Sequence, residues 1–402
     1  MFLAVQHFVI TKYRAFNSSD NCFVLLMFCN RLVGFLINPD DAQDYLRPIK
    51  HLLLSFTVIY ELFEVFTLII AIQSTGIDGH IGSLYLVSTR VLSIVIWCSL
   101  AVHRHDLKRI WIYLMSLQQN SPDIRRRKHI QTINWFMLMF LLQELIPMGV
   151  WTIKGHTGTP LAFYASDTID KLNAVFYPIT LFSLTLIFCY SLIVVSSIMS
   201  ALTLEFRLLG TDFEHLFEQV GPLETSSNND SEHNWKAVEY NFKLCVVRHQ
   251  ILLGSTLALR SLLKMYSLIQ LLIYFLMVAI GAFLYVFTQV SFGFGVIFFA
   301  VCVVSVSVNL LLYGFLCDRL EDQVESVGYR LYSSGWTDKL ICSIEHAQRY
   351  KNFRKMMLIV MERTQKSVEF TCGNVYVMSL LTCRHVLWFA YSVFTVLINF
   401  LE

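Results

Sequence analysis

Apolar residues gather along this chain in long blocks separated by short polar breaks. A helix of about 20 mostly apolar residues crosses about 30 Å of hydrocarbon at 1.5 Å per residue. Seven blocks reach that length, at about 52–72, 81–101, 132–153, 174–202, 265–288, 291–316 and 375–401. Charges or turn residues bound each of them. The pattern predicts an all-α polytopic membrane protein with seven transmembrane helices. Blocks five and six meet at Thr288-Gln289-Val290-Ser291, which predicts a tight hairpin.

The polar breaks are uneven, and the two long ones carry a helical period of their own. Between spans four and five, Val238, Phe242, Cys245, His249, Leu252, Thr256 and Leu259 recur every three or four residues. No proline interrupts 223–288, so one helix is expected from about 232 through the fifth span, roughly 85 Å at 1.5 Å per residue. The polar run Glu224 to His233 is the expected flexible break before it. Between spans six and seven, Leu320, Val324, Val327 and Leu331 form one stripe. Trp336, Leu340, Ile344, Ala347 and Lys351 begin another that continues near Met357. These stripes either pack on one another or meet another subunit, and cyclic symmetry is the common way such assemblies close. The domain reading is a first segment at 1–51, spans one to four at 52–202, and anchor helices at 203–264. Spans five and six follow at 265–316, more anchor helices at 317–374, and the seventh span at 375–402.

Composition agrees with a bilayer and excludes several functions. The chain is 55% hydrophobic and 15% charged, with mean hydropathy +0.56, whereas soluble chains carry about 25% charge. A soluble enzyme is excluded. The net charge of +2 offers no basic excess for nucleic acid. Charge placement adds orientation: all of the 31 Lys and Arg except Arg90, Lys154, Lys171 and Arg384 fall on one side. By the positive-inside bias the N-terminus is cytoplasmic, the anchor helices are cytoplasmic, and the C-terminus is extracellular. That is the reverse of a G-protein-coupled receptor, whose Asp-Arg-Tyr and Asn-Pro-x-x-Tyr motifs are also missing. None of the ten cysteines lies in the short outer loops, so they are read as reduced thiols. A transporter would show broken helices in repeated halves, but only Pro147 and Pro178 lie in spans. No clustered set of His, Asp or Cys suggests catalysis, a metal or a cofactor.

Three stretches, in order, carry a family resemblance. The first is Arg248-His249-Gln250 followed by Ile251 to Leu253. The second runs from Tyr313-Gly314 through Tyr332 and Trp336. The third is the end: Thr371-Cys372-Gly373-Asn374, Ser379 to Thr382, and Ala390-Tyr391-Ser392-Val393-Phe394-Thr395-Val396-Leu397. Together they resemble the insect odorant receptors over most of the chain. The sister gustatory receptors end in Thr-Tyr, five apolar residues, then Gln-Phe. Here those positions read Ala390, Tyr391, then Leu397 and Ile398, and the motif fails. The resemblance is to a ligand-tuning subunit rather than the co-receptor, with the gustatory channel as the alternative reading.

The resemblance implies a subunit of a heteromeric, ligand-gated, non-selective cation channel in the plasma membrane of olfactory sensory neurons. Co-receptor subunits complete a tetramer, small volatile apolar odorants open it, and the last helix of each subunit lines the pore. In that helix Tyr391, Phe394 and Ile398 share a face, with Leu397 alongside. A hydrophobic constriction gates by dewetting, which makes Phe394 and Ile398 the gate candidates; a packed or lipid-facing stripe is the other reading. The family's ligand cavity lies in the outer half of the membrane among spans two, three, four and six. The corresponding residues here are Tyr85, Ser88, Met148, Trp151, Phe176, Tyr177, Thr180 and Phe298, joined by Phe292 and Phe294. Ordinary helix packing and interfacial anchoring of Trp and Tyr compete for the same residues. Arg90, near the middle of span two, is costly in hydrocarbon and demands a partner. Glu144 in span three is the expected pair, with Glu61 and Glu64 of span one at similar depth.

Overall fold

The structure is a computed structural model. It describes residues 23, 26–27, 47–75, 81–120, 124–154, 167–217, 228–287, 294–339, 347–366 and 368–399. In chain order the long helices are α1 (Arg47–Thr75), α2 (Ile81–Val102), α3 (Arg104–Asn120), α4 (Ile124–Lys154), α5 (Asp167–Glu214), α6 (Asn228–Phe287) and α7 (Phe294–Ser333). A four-residue helix α8 (Trp336–Lys339) and then α9 (Ala347–Gln365) follow. A small hairpin, β1 (Thr371–Cys372) and β2 (Tyr376–Val377), leads into the last helix, α10 (Leu380–Asn399). The architecture is all-α, and the predicted spans lie on α1, α2, α4, α5, α6, α7 and α10. Among the described residues, four stretches are long and apolar enough to cross a membrane: His51–Ile70, Pro178–Glu214, Trp235–Phe275 and Val303–Ser333.

Three helices far outrun a bilayer. α5 has 48 residues, α6 has 60 and α7 has 40, so α6 alone is about 90 Å long at 1.5 Å per residue. They run unbroken through residues 202, 264 and 316, so the boundaries read from the sequence there do not end any element. The inner helices are continuations of the spans. The stripe expected on α6 is the buried one: Val238, Phe242, His249, Leu252, Thr256 and Leu259 all lie inside, and Cys245 is half-buried. Leu320, Val324, Val327 and Leu331 are likewise buried on α7.

One expectation needs correction. The stripe begun at Trp336 holds at Met357 but not at Ala347 and Lys351, which are exposed; Met357 shares the buried face of α9 with Phe353, Val360 and Thr364. Helix α8 ends at Lys339 and α9 begins at Ala347, and helical phase is not carried from one helix to the next. The basic link between spans two and three also contains a helix, α3, which buries Leu107, Ile110, Trp111 and Leu114 at three-to-four spacing.

α5 is the central post. Most of its residues from Thr180 onward are buried, with an unbroken buried run from Cys189 to Met199, and it packs against α1, α2, α3, α4, α6 and α7. A helix apolar all round belongs at the centre of a bundle. Two of its buried hydroxyls fold back on the helix itself: Thr185 donates to the Leu181 carbonyl (2.8 Å) and Ser191 to that of Ile187 (2.9 Å). At the inner end, Phe353 of α9 enters an aromatic nest, with ring centroids 4.7 Å from Phe242, 6.1 Å from Trp235 and 6.2 Å from Phe217. That nest docks α9 onto the extensions of α5 and α6.

Candidate functional site

Of the eight residues expected to contact ligand, the structure describes three side chains. Ser88 is half-buried on α2, and Phe176 and Thr180 lie one turn apart on α5. Thr180 is buried and donates to the Phe176 carbonyl (3.1 Å). The Phe176 ring rests 5.2 Å from that of Phe56 on α1. Thr57, also on α1, donates to the Ser183 hydroxyl of α5 (3.3 Å). The side chains of Tyr85, Met148, Trp151, Tyr177, Phe292, Phe294 and Phe298 lie outside the described residues. A polar bridge that the sequence reading missed joins α4 to α7: Gln143 Nε2 donates to Ser305 Oγ (3.3 Å). An isolated Gln inside an apolar run was the available signal.

Arg90 is buried between α2 and α1. Its guanidinium pairs with Glu61 at 3.0 Å and also with Glu64, and all three side chains are nearly inaccessible. Glu61 and Glu64 lie three residues apart, on one face of α1, which lets a single arginine serve both. Glu144, the partner expected first, has a side chain outside the described residues. The described partners come from the first span, and the pairing fixes the rotation of α1 against α2.

The third resembling stretch and the second meet in space at the base of α10. In the hairpin Thr371 pairs with Val377 and Cys372 with Tyr376. Gly373 (φ 58°) and Asn374 (φ 65°) take the left-handed conformation that its turn needs. Gly373 also sits against α6: its N–H donates to the Lys264 carbonyl (3.0 Å), and a Cβ there would come within 2.9 Å of Leu268. Burial pushes the Cys372 thiol up to about 11, so it remains protonated at neutral pH. At the start of α10, the Thr382 N–H donates to Ser379 Oγ (3.1 Å), an ordinary N-cap. The Leu380 N–H donates to Asp318 Oδ2 of α7 (2.8 Å). Cys383 Sγ donates to the Leu310 carbonyl (3.3 Å). Gly314 permits the close approach, because a Cβ there would fall 2.7 Å from Cys383 Sγ and 3.1 Å from Ser379 backbone atoms. Next to it Tyr313 shares a hydrogen bond with Ser267 of α6 (2.8 Å).

Above this clamp α10 is sparsely covered within one chain. Phe389 meets Phe275 of α6 (5.3 Å between centroids) and Ala390 is buried. Trp388, Tyr391 and Val396 are 69%, 63% and 51% exposed. Of the four pore candidates, Tyr391 is therefore on an uncovered face, while the side chains of Phe394, Leu397 and Ile398 lie outside the described residues.

The inner bundle holds a second buried charge network, which the sequence reading missed. Glu205 of α5 is fully buried. It accepts from Arg126 of α4 (3.0 and 3.1 Å) and from Arg248 of α6 (2.6 Å). Arg126 also donates to the Leu117 carbonyl at the end of α3 (3.1 Å), and Arg248 to Asp212 of α5 (2.8 Å). Four helices are thereby keyed to one carboxylate. Arg126 belongs to a run of four basic residues, and packing buries it while Arg127 and Lys128 stay exposed. Nearby, burial holds the His129 imidazole below its ordinary value, with Arg207 and Arg319 adding to the shift.

The matching family model is described as "7tm Odorant receptor" and covers residues 77–391, more than half of the chain. Among curated proteins none matches. Solved structures match over nearly the whole length. The insect olfactory receptor OR5 from Machilis hrabei superposes with a TM-score of 0.71 at 15% identity, covering 93% of this chain and 96% of that one. The same receptor in complex with eugenol gives 0.69 at 15% identity, covering 93% and 97%. At such identity the likeness concerns the fold, and the family model supplies the membership. With its long inner helices, its clamped last helix and this match, the chain belongs to the 7tm odorant receptor family.

Proposed function

We propose that this protein is an odorant-binding subunit of a heteromeric, ligand-gated, non-selective cation channel, opened by small volatile apolar molecules. It lies in the plasma membrane of olfactory sensory neurons, with its N-terminus and long helix extensions in the cytoplasm. Co-receptor subunits complete a tetramer in which each α10 faces a central path. The observation that carries the assembly is a second stripe on α6. Tyr240, Leu244, Val247 and Ile251 recur at four, three and four residues, and all are exposed in the single chain. This is the spacing of a helix seam that expects a partner, on a part of α6 well beyond the span. The uncovered Trp388, Tyr391 and Val396 of α10 support a further contact or pore face higher up. Phe394 and Ile398 are the proposed gate, with Tyr391 and Leu397 beside them. The ligand is proposed to contact Tyr85, Ser88, Met148, Trp151, Phe176, Tyr177, Thr180 and Phe298, and eugenol in the related receptor is of suitable size and chemistry.

The test is co-expression with the co-receptor in cells lacking both, recording current while eugenol and a panel of volatile alcohols and esters are applied. An odorant-dependent cation current that requires this chain is expected. Complexes proven at the surface but silent to the whole panel would overturn the reading.

A further inference from the structure

We propose that Asp318 is a positioning residue for the gate helix: its carboxylate is the link through which α7 carries α10. The inference rests on the channel reading above and adds a route within one subunit. α7 runs from Phe294 to Ser333 without a proline or a break. It bears the ligand candidate Phe298 at its outer part and Asp318 twenty residues further in, about 30 Å along the axis at 1.5 Å per residue. A displacement at the outer end therefore reaches Asp318 as motion of one rod.

At that point α7 grips α10. Leu310, Gly314 and Asp318 are spaced four apart and share one face of α7. Leu310 receives Cys383 Sγ, Gly314 admits Cys383 and the Ser379 backbone, and Asp318 accepts the Leu380 N–H, the first of α10. The first N–H groups of a helix have no acceptor within it and carry the positive end of its dipole. A carboxylate there is held by both effects. Ser379 already supplies the cap that the helix needs to start, so the Asp318 bond does something else: it ties the helix end to a neighbour 62 residues away in sequence. Beyond Ala390, α10 presents Tyr391 and Val396 largely uncovered. Its base is where another element can push it.

Two variants break the same bond from opposite sides. Asp318→Ala removes the acceptor. Leu380→Pro removes the N–H at the first helical position, where proline is tolerated and where Ser379 before it is already non-helical. In the surface complex with the co-receptor, each is expected to raise the half-activating concentration of eugenol, 1-octanol or an acetate ester at least threefold. Surface amount should be unchanged, and Asp318→Asn, which keeps an acceptor oxygen, should stay within twofold of wild type. The double variant should shift no further than either single one, because both remove one interaction. The position of α10 is also read without odorant, from the rate at which a charged thiol reagent modifies Tyr391→Cys. Adding Asp318→Ala should change that rate at least threefold.

Unchanged modification and unchanged concentration dependence at equal surface amount would overturn the link. So would additive shifts, or an Asn variant no better than Ala. A role confined to folding would lower surface amount and current together and leave the half-activating concentration and the modification rate alone. A wild-type complex silent to the probes counts against the channel reading only, since the modification rate still decides the link.

Discussion

α5 and α10 are both apolar helices, yet the fold treats them in opposite ways. α5 packs against six other helices, with hydroxyls such as Thr185 and Ser191 turned back onto its own carbonyls and its buried carboxylate at Glu205 shared by two arginines. α10 is fastened at its base through Leu380 and Cys383 to α7 and left largely uncovered above them. Hydropathy is high in both, so it does not distinguish a post from a lever. The difference lies in what each helix can lose. Removing a group from α5 leaves unpaired charge or an empty volume, whereas altering the upper part of α10 touches little inside the same subunit.

The contrast can be broken most severely at Glu205. Glu205→Leu leaves the Arg126 and Arg248 guanidinium groups facing each other without their shared acceptor. Loss of one member of a buried ion network costs about 3–5 kcal/mol. The expected outcome is little protein at the surface and a lower melting temperature of the solubilised complex; a melting curve like that of wild type would remove the keystone role. Gly314→Val comes next. The added side chain must displace Cys383 or the Ser379 backbone, and such overpacking costs about 1–3 kcal/mol. Its effect should appear as lost odorant current with complexes still at the surface, since the clamp and not the bundle is hit.

A milder change sharpens the comparison. Leu244→Ser with Val247→Ser alters the uncovered stripe of α6, and surface positions of this kind change subunit stability by about 0.5 kcal/mol or less. Capture of the co-receptor should nevertheless fall severalfold in pull-down from detergent. Retained capture would mean that the stripe faces something other than a subunit. The smallest effect concerns His129. Because the fold disfavours its protonated form, the folded state gives up a proton that the unfolded chain binds below about pH 6.5. Its contribution is therefore complete above that value and declines as the pH falls below it. His129→Gln should flatten the acid side of the stability profile slightly, as read by melting between pH 7 and 5.

Much of the scaffold was legible because helical period and span length are local properties. The blocks near 52–72 and 174–202 became helices, and the stripe from Val238 to Leu259 became the buried face of one helix through the fifth span. The stripe from Trp336 failed at Ala347 because α8 and α9 are separate helices, and phase cannot be carried from one to the other. Of the candidate sites, Arg90 was recognised as needing a partner, since burying a lone charge in hydrocarbon is expensive. Which glutamates serve it depends on how α1 rotates against α2. Nor did Arg126 stand out among its basic neighbours, or Asp318 among the acids that follow the sixth span.

The sequence by itself determined that this chain is a bundle of membrane helices with long extensions beyond the spans. Apolar length, helical period and the asymmetry of Lys and Arg require nothing beyond neighbouring residues. Its three short matches also pointed to the family. Only the tertiary structure decided that the second and third of these matches are one place: Tyr313-Gly314, the Gly373 turn and Ser379 to Cys383 lie together at the foot of α10. It alone decided which of two apolar stripes on α6 is core and which is uncovered. The reason is physical: side-chain rotation about a helix axis, and contact between residues 62 apart, are set by packing and have no local signature.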